Sequence, residues 1–189
     1  MPLKPTKHIW FNNKLVPWEE AQIHVLSYAL HYGAAVFEGI RAYSTNDGTR
    51  IFRLEDHIKR LFNSAKIYRM NMAFDLNQIM DACRTVVVSN ELNNGAYIRP
   101  IAFRGYNDLG LHASLDDDIE VVVAAWEWGA YLGKEGLESG VDVCVSSWNK
   151  IAPNTIPVMA KASGNYLSGT LVAIEAKENG YDEIEFNLY

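Results

Sequence analysis

Residues 152–169 read APNTIPVMAKASGNYLSG, and the fold turns on how Lys161 within that run is interpreted. Pro153 and Pro157 precede the lysine, and a helix-forming segment follows it. Its neighbours Ala160, Ala162, Ser163 and Gly164 are all small. A lysine flanked in this way has space for a flat, bulky group at its tip. A lysine that bonds covalently to a carbonyl needs such a confined, partly desolvated setting. The same spacing also fits a surface lysine in a loop, because most lysines are solvated.

Downstream of Lys161 the pattern predicts a helix over 165–177, packed through Leu167, Leu171 and Ile174 and closed by Gly180. Upstream, Val141, Val143 and Val145 alternate with Asp142, Cys144 and Ser146 as a strand. Residues 128–140 hold Gly129, Gly133, Gly136 and Gly140 and read as a connector. Residues 119–126 are nearly all apolar, as in a strand buried on both faces. Residues 96–104 alternate as another strand, with Pro100 suggesting an edge or a bulge. Asp75 opens a helix as N-cap with Gln78 placed to answer it. The core stripe of that helix is Leu76, Ile79, Met80, Cys83, Val86 and Val87. Leu54, Ile58, Leu61, Ala65 and Tyr68 recur at helical spacing, predicting a helix over 54–69. Residues 35–43 read as one strand, with Phe37, Gly39, Arg41 and Tyr43 on one face and Val36, Glu38, Ile40 and Ala42 on the other. A turn over 45–48 leads to a return strand starting at Ile51, and residues 9–17 form a hairpin turning at Asn12 and Asn13. The chain is therefore read as α+β, with a small lobe over 1–125, a connector over 126–136 and the start of a second lobe over 137–189.

The 189 residues are 49% hydrophobic and 21% charged, with a net charge of −6, a soluble globular composition. No basic stripe points to nucleic acid, and no cationic cluster points to a membrane surface. The N-terminal residues lack a signal-peptide core, and the longest apolar run, 121–126, is too short to cross a bilayer. Cys83 and Cys144 show no metal or redox spacing and read as free thiols of a reducing compartment, which places the chain in the cytoplasm. His8, His24, His31, His57 and His112 show no metal-ligand spacing, so no metal is expected. The acidic run 116–118 reads as a solvated loop.

Tyr97 and Arg99 lie two apart on a strand and so share a face. A phenol and a guanidinium together can grip a carboxylate. A surface arginine on a half-exposed strand has the same spacing. Phe37, Trp128, Tyr131 and Tyr166 are large rings that by themselves read as core. Arg60, beside Leu61, reads by itself as a solvated helix arginine.

Five segments together carry a resemblance: YALHYGAAVFEGIRAY (28–43), RLFNSAKIYRM (60–70), NGAYIRP (94–100), AAWEWGAYLG (124–133) and the long run 146–183 around Lys161. In this order they resemble the motifs of branched-chain amino acid aminotransferases, which are fold-type-IV pyridoxal-phosphate enzymes. The resemblance implies that Lys161 bonds to pyridoxal 5′-phosphate and, once freed, moves the substrate α-proton. It implies that Arg60 contacts the cofactor phosphate and Tyr166 its phenolic oxygen. Phe37, Trp128, Tyr131 and Tyr166 would wall the substrate or cofactor, and Gly39 would clear an approach. Arg99 would receive the side-chain carboxylate of glutamate, and Tyr97 would help bind substrate. Tyr32 and the loop 106–111 would reach a neighbouring subunit's pocket, implying a homodimer or an assembly of dimers. The implied reaction moves the amino group of L-leucine, L-isoleucine or L-valine to 2-oxoglutarate. Alternatives are a D-amino acid aminotransferase, an aminodeoxychorismate lyase or a non-catalytic fragment. After Glu183 the ending IEFNLY departs from the family pattern. The expectation is an incomplete second lobe in which Leu167, Leu171 and Ile174 lack partners, with low activity and poor solubility.

Overall fold

Strand β1 (His8–Phe11) turns into β2 (Lys14–Pro17) through Asn12 and Asn13, whose φ angles are 44° and 68°. Two successive positive φ values match the twist of a tight hairpin, and asparagine tolerates them. The computed structural model describes residues 3–106, 110–111, 114–115, 117–128, 136 and 138–187. After β2 come α1 (Tyr28–Tyr32), β3 (Ala35–Phe37), β4 (Ile40–Thr45), β5 (Gly48–Ile51), α2 (Leu54–Ile67), α3 (Leu76–Ser89), β6 (Ala96–Arg104) and β7 (Ile119–Trp126). The strands form a seven-stranded sheet in the order β2-β1-β7-β6-β4-β5, with β3 also paired to β6. The return strand thus begins at Gly48, not Ile51, because the turn takes only Asn46 and Asp47.

Helices α2 and α3 cover one face of this sheet. Ile58, Leu61 and Ala65 from α2 and Ile79, Cys83 and Val86 from α3 meet Val36, Ile40, Ile98, Ala102, Val121 and Val123. Each fully buried aliphatic side chain contributes roughly 1.5–3 kcal/mol. Burial also pushes the Cys83 thiol up to about 12, so it is a packing group. The α3 start carries the expected reciprocal cap: Gln78 N donates to Asp75 Oδ1 at 2.9 Å, and Asp75 N donates to Gln78 Oε1 at 2.8 Å.

Pro100 is not at an edge. It lies in β6, the central strand between β7 on one side and β3 with β4 on the other. The expected single strand over 35–43 breaks opposite it, and the register does not change: Phe37 faces Ile101 and Ile40 faces Ile98. Glu38 N still donates to the Pro100 carbonyl at 2.9 Å, but Pro100 has no N–H to return the bond. The ladder therefore lapses at Glu38 and Gly39. Strand β7 also differs from expectation: its odd-numbered residues are buried against the helices, while Glu120, Val122, Ala124 and Trp126 are half-buried on the other face. Within 116–118, Asp117 is not solvated. It accepts from buried Arg104 at 2.6 Å, which also donates to the Ser114 and Arg69 carbonyls.

A second unit pairs β8 (Val143–Asn149) in parallel with β9 (Glu183–Asn187), and α4 (Leu167–Glu178) makes the crossover. Helix α4 seats Val172 and Ala176 against the strands, whereas Leu167, Leu171 and Ile174 are exposed. The stripe read from sequence thus faces outward rather than onto the strands, in line with the expectation that Leu167, Leu171 and Ile174 lack partners. Ser146 Oγ and Ser147 N both donate to the Glu175 carboxylate, at 2.5 and 2.9 Å, and hold it below its usual range. Gly180 follows the helix at φ 80°, as expected of a C-terminal glycine. Most of the expected connector lies outside the described residues. No described helix is long and apolar enough to cross a membrane.

Candidate active site

The two units meet at Lys161. Its carbonyl accepts from Phe37 N at 3.0 Å, its own N–H donates to Ser64 Oγ at 3.0 Å, and Ala162 bridges to Val36. The lysine backbone is thereby sewn along β3 as a short extra edge. Its small neighbours serve packing more than clearance. Ala160 and Ala162 are buried in the core of the small lobe. A Cβ on Gly33, itself at φ 65°, would come within 3.2 Å of Gly164 Cα.

The Lys161 amine sits 4.7 Å from the centre of the Phe37 ring and 4.8 Å from that of Tyr166. Nζ donates to Tyr166 Oη at 2.5 Å. The Phe37 and Tyr166 rings are themselves 5.0 Å apart. Phe37 continues the wall to Arg99, whose guanidinium carbon lies 4.6 Å from its ring centre. Arg99 Nη2 donates to Tyr97 Oη at 3.0 Å, while Arg99 Nε is buried with no hydrogen-bond partner among the described residues. Tyr97 then stacks near Trp126 and Trp128, at 5.2 and 5.1 Å between centroids. Lys161, Tyr166, Phe37, Arg99, Tyr97 and Trp128 therefore form one continuous surface. Tyr131 lies outside the described residues. Tyr32 is half-exposed on α1, with its ring against Tyr28 and His31.

Gly39 lies under this wall. A Cβ there would collide with the Tyr97 hydroxyl and Cζ, so the space it clears is filled by the phenol. Gly39→Ala is expected to push the Tyr97 ring off Arg99 at a cost of roughly 1–2 kcal/mol. Because Tyr97 contacts Trp126 and Trp128, the intrinsic tryptophan emission should shift in the variant; an unchanged spectrum and unfolding midpoint would contradict this geometry.

Sequence reasoning left out the carboxylate behind the wall. Glu38 shares its face with Val36, Ile40 and Ala42 and is fully buried. Arg60 grips it with a fork, Nε to Oε1 at 2.5 Å and Nη2 to Oε2 at 2.7 Å, and His57 Nδ1 lies 2.9 Å from Oε2. Burial alone would push the Glu38 carboxyl up. The hydrogen bonds and charges of Arg60 and His57 outweigh it and hold the group below its ordinary value. The Glu38 hydrogen bond raises Arg60 above its ordinary value, and Tyr166 is close enough to add to this. The available signal was an acidic residue on an apolar strand face, with His57 and Arg60 three apart on a helix. Trp126 was also missed, although it faces Tyr97 directly in the register.

The donor set fits pyridoxal phosphate. Lys161 and Tyr166 bring a primary amine and a phenol into contact, and Arg60, close enough to Tyr166 to feel it, presents a half-exposed guanidinium. Each matches one functional group of that molecule: aldehyde, phenolic oxygen and phosphate.

Residues 35–186 match the family model described as amino-transferase class IV. The branched-chain-amino-acid aminotransferase of Escherichia coli K12 is 50% identical over 183 residues, which is 97% of this chain and 59% of that protein. A crystal structure of the Escherichia coli branched-chain amino acid aminotransferase superposes with a TM-score of 0.92 at 50% identity, covering 95% of this chain and 59% of that one. The branched-chain amino acid aminotransferase from Thermobaculum terrenum, solved in its PLP-bound holo form, gives a TM-score of 0.83 at 33% identity, covering 96% of this chain and 59% of that one. The chain thus spans about 59% of the length of the Escherichia coli relative. The α+β architecture, the lysine-bearing wall and these matches agree, and the chain belongs to the class IV aminotransferases, a family dependent on pyridoxal phosphate.

Proposed function

We propose that this chain carries the lysine and the substrate wall of an aminotransferase that moves the amino group of L-leucine, L-isoleucine or L-valine to 2-oxoglutarate. The observation that carries the reading is the unbroken surface from Lys161 through Phe37 to Arg99 and Tyr97. Lys161, Tyr166 and Arg60 would hold pyridoxal phosphate, which when bound supplies an electron sink for charge at the substrate α-carbon. Lys161 Nζ would carry the substrate α-proton between its removal and its return. Tyr166 Oη hydrogen-bonds Nζ and keeps it over the Phe37 ring. The aromatic walls take a branched apolar side chain and exclude water from it. Arg99, with Nε unpaired and Nη2 on Tyr97, takes the side-chain carboxylate of 2-oxoglutarate in the same space. Two substrates of opposite side-chain polarity can so use one site in turn. The reading carries with it the division into 1–125, 126–136 and 137–189, a homodimer in which Tyr32 enters the neighbour's site, and a cytoplasmic location.

Glutamate formation from 2-oxoglutarate with L-leucine, L-valine and D-alanine tests the reading. Turnover of the L-branched donors and not of D-alanine is expected; the reverse preference defeats it. Arg99→Ala should raise KM for 2-oxoglutarate by about 100-fold, from a lost charge-assisted fork, and change leucine KM only a few-fold.

A second reading, a non-catalytic unit that pairs with another chain, is favoured by the exposed Val145, Leu167, Leu171 and Ile174. Adding pyridoxal phosphate separates the two: a visible absorption band supports the first and its absence the second.

A further inference from the structure

Ser64 lies in the interior of α2 and is 1% exposed. A serine there lowers helix stability relative to alanine, because its hydroxyl competes for local backbone groups. Its counterpart here is distant in sequence: the Lys161 N–H, 97 residues away, donates to Ser64 Oγ at 3.0 Å. Ser64 follows Arg60 by four residues, so the two stand on one helical stripe, one turn apart. His57 begins the same stripe. From this stripe Arg60 and His57 hold Glu38, and Ser64 holds Lys161. On the other side, Phe37 N holds the Lys161 carbonyl. Phe37 and Glu38 are adjacent in the chain, so the amine and the guanidinium are referenced to the same two elements.

We propose that Ser64 is a positioning residue: by fixing the Lys161 main chain one helical turn from Arg60, it sets the separation that a phosphate-bearing aldehyde must span. This rests on the reading of Lys161 and Arg60 given above. The proposal separates position from folding. Without the hydroxyl, the Phe37–Lys161 bond and the Val36–Ala162 bridge still hold the segment on the sheet. The lysine stays accessible, but its register to Arg60 loosens.

The test uses the 189-residue chain, wild type and the variants Ser64→Ala and Ser64→Thr. Each is treated with pyridoxal phosphate or with unphosphorylated pyridoxal, trapped with borohydride and mapped by peptide mass. The readout is the ratio of phosphorylated to unphosphorylated label on Lys161. Wild type should prefer the phosphorylated aldehyde. Ser64→Ala should cut that preference by about five-fold, the value of one net hydrogen bond, with the melting midpoint lowered by about 2–4 °C. Ser64→Thr, which keeps the hydroxyl, should retain the wild-type ratio. Ser64→Cys, close in shape but a poor acceptor, should follow alanine and serves if the alanine variant does not fold. An unchanged ratio in the alanine or cysteine variant overturns the role of Ser64 and leaves the reading of Lys161 standing. Absence of label on Lys161 in the wild-type chain overturns that reading and this proposal with it.

Discussion

Under the proposed function, Lys161→Ala is expected to lower amino transfer by about a thousand-fold or more, because it removes the residue assigned there both as covalent attachment point and as proton carrier. It should leave the melting midpoint within about 2–4 °C of wild type. The asymmetry follows from the geometry. The Lys161 side chain touches the Phe37 and Tyr166 rings through its amine, contacts of roughly 0.5–1 kcal/mol at a partly exposed site. The bonds that seat the segment belong to the backbone of Lys161 and survive the substitution. Borohydride trapping with pyridoxal phosphate gives a second measure: the label on the peptide holding Lys161 should vanish in the variant. Lys150 is the natural control, because it borders a cavity that Tyr166 also lines. Label on Lys150 in the wild-type chain, or a variant that still transfers amino groups, would remove Lys161 from the chemistry.

The features legible in the sequence are those encoded within a few residues. Asn12 and Asn13 specify their turn by backbone preference alone, and Asp75 with Gln78 closes its own cap. The stripe of α2 needs only a period. Features that depend on distant pairing were misread. Pro100 reads as an edge residue because its missing N–H costs a ladder bond, yet the central strand accommodates it by interrupting β3 and β4 instead. Leu167, Leu171 and Ile174 form as good an apolar stripe as Val172 and Ala176, and only the position of β8 and β9 decides which faces inward. The same division runs through the site. Lys161, Phe37, Tyr97, Arg99, Trp128 and Tyr166 lie within recognisable motifs. Ser64 and Glu38 lie in those motifs too, but their partners are 97 and 22 residues away, and nothing local announces the bonds. Gly39 was legible as a required absence of side chain, although the group that fills the space is Tyr97.

Arg60→Ala is expected to destabilise the fold by about 3 kcal/mol at pH 7 and by clearly less near pH 4, a reversal of the wild-type trend. Glu38 is 0% exposed at its side chain while Arg60 is 54% exposed, so the two partners are not equivalent. Removing Arg60 leaves a fully buried carboxylate whose one remaining side-chain partner among the described residues is His57, the costly way to break a buried pair. The exposure of Arg60 screens part of the attraction and keeps the figure at the lower end of that range. In wild type the folded Glu38 lies below its unfolded value, so its contribution is present above about pH 4.3 and is lost as pH falls through the folded value. In the variant, burial becomes the dominant influence and raises Glu38. The sign then inverts: stability is retained where the carboxyl is protonated and is lost as pH rises through the new folded value. Glu38→Gln alone should cost less than Arg60→Ala, because Arg60 can regain water. Added to Arg60→Ala, it should restore much of the loss at pH 7, as two substitutions on one pair are not additive. Urea unfolding of the three variants at the two pH values decides the matter. Equal losses for Arg60→Ala at both, or no relief from Glu38→Gln, would show that the buried carboxylate is not what Arg60 stabilises.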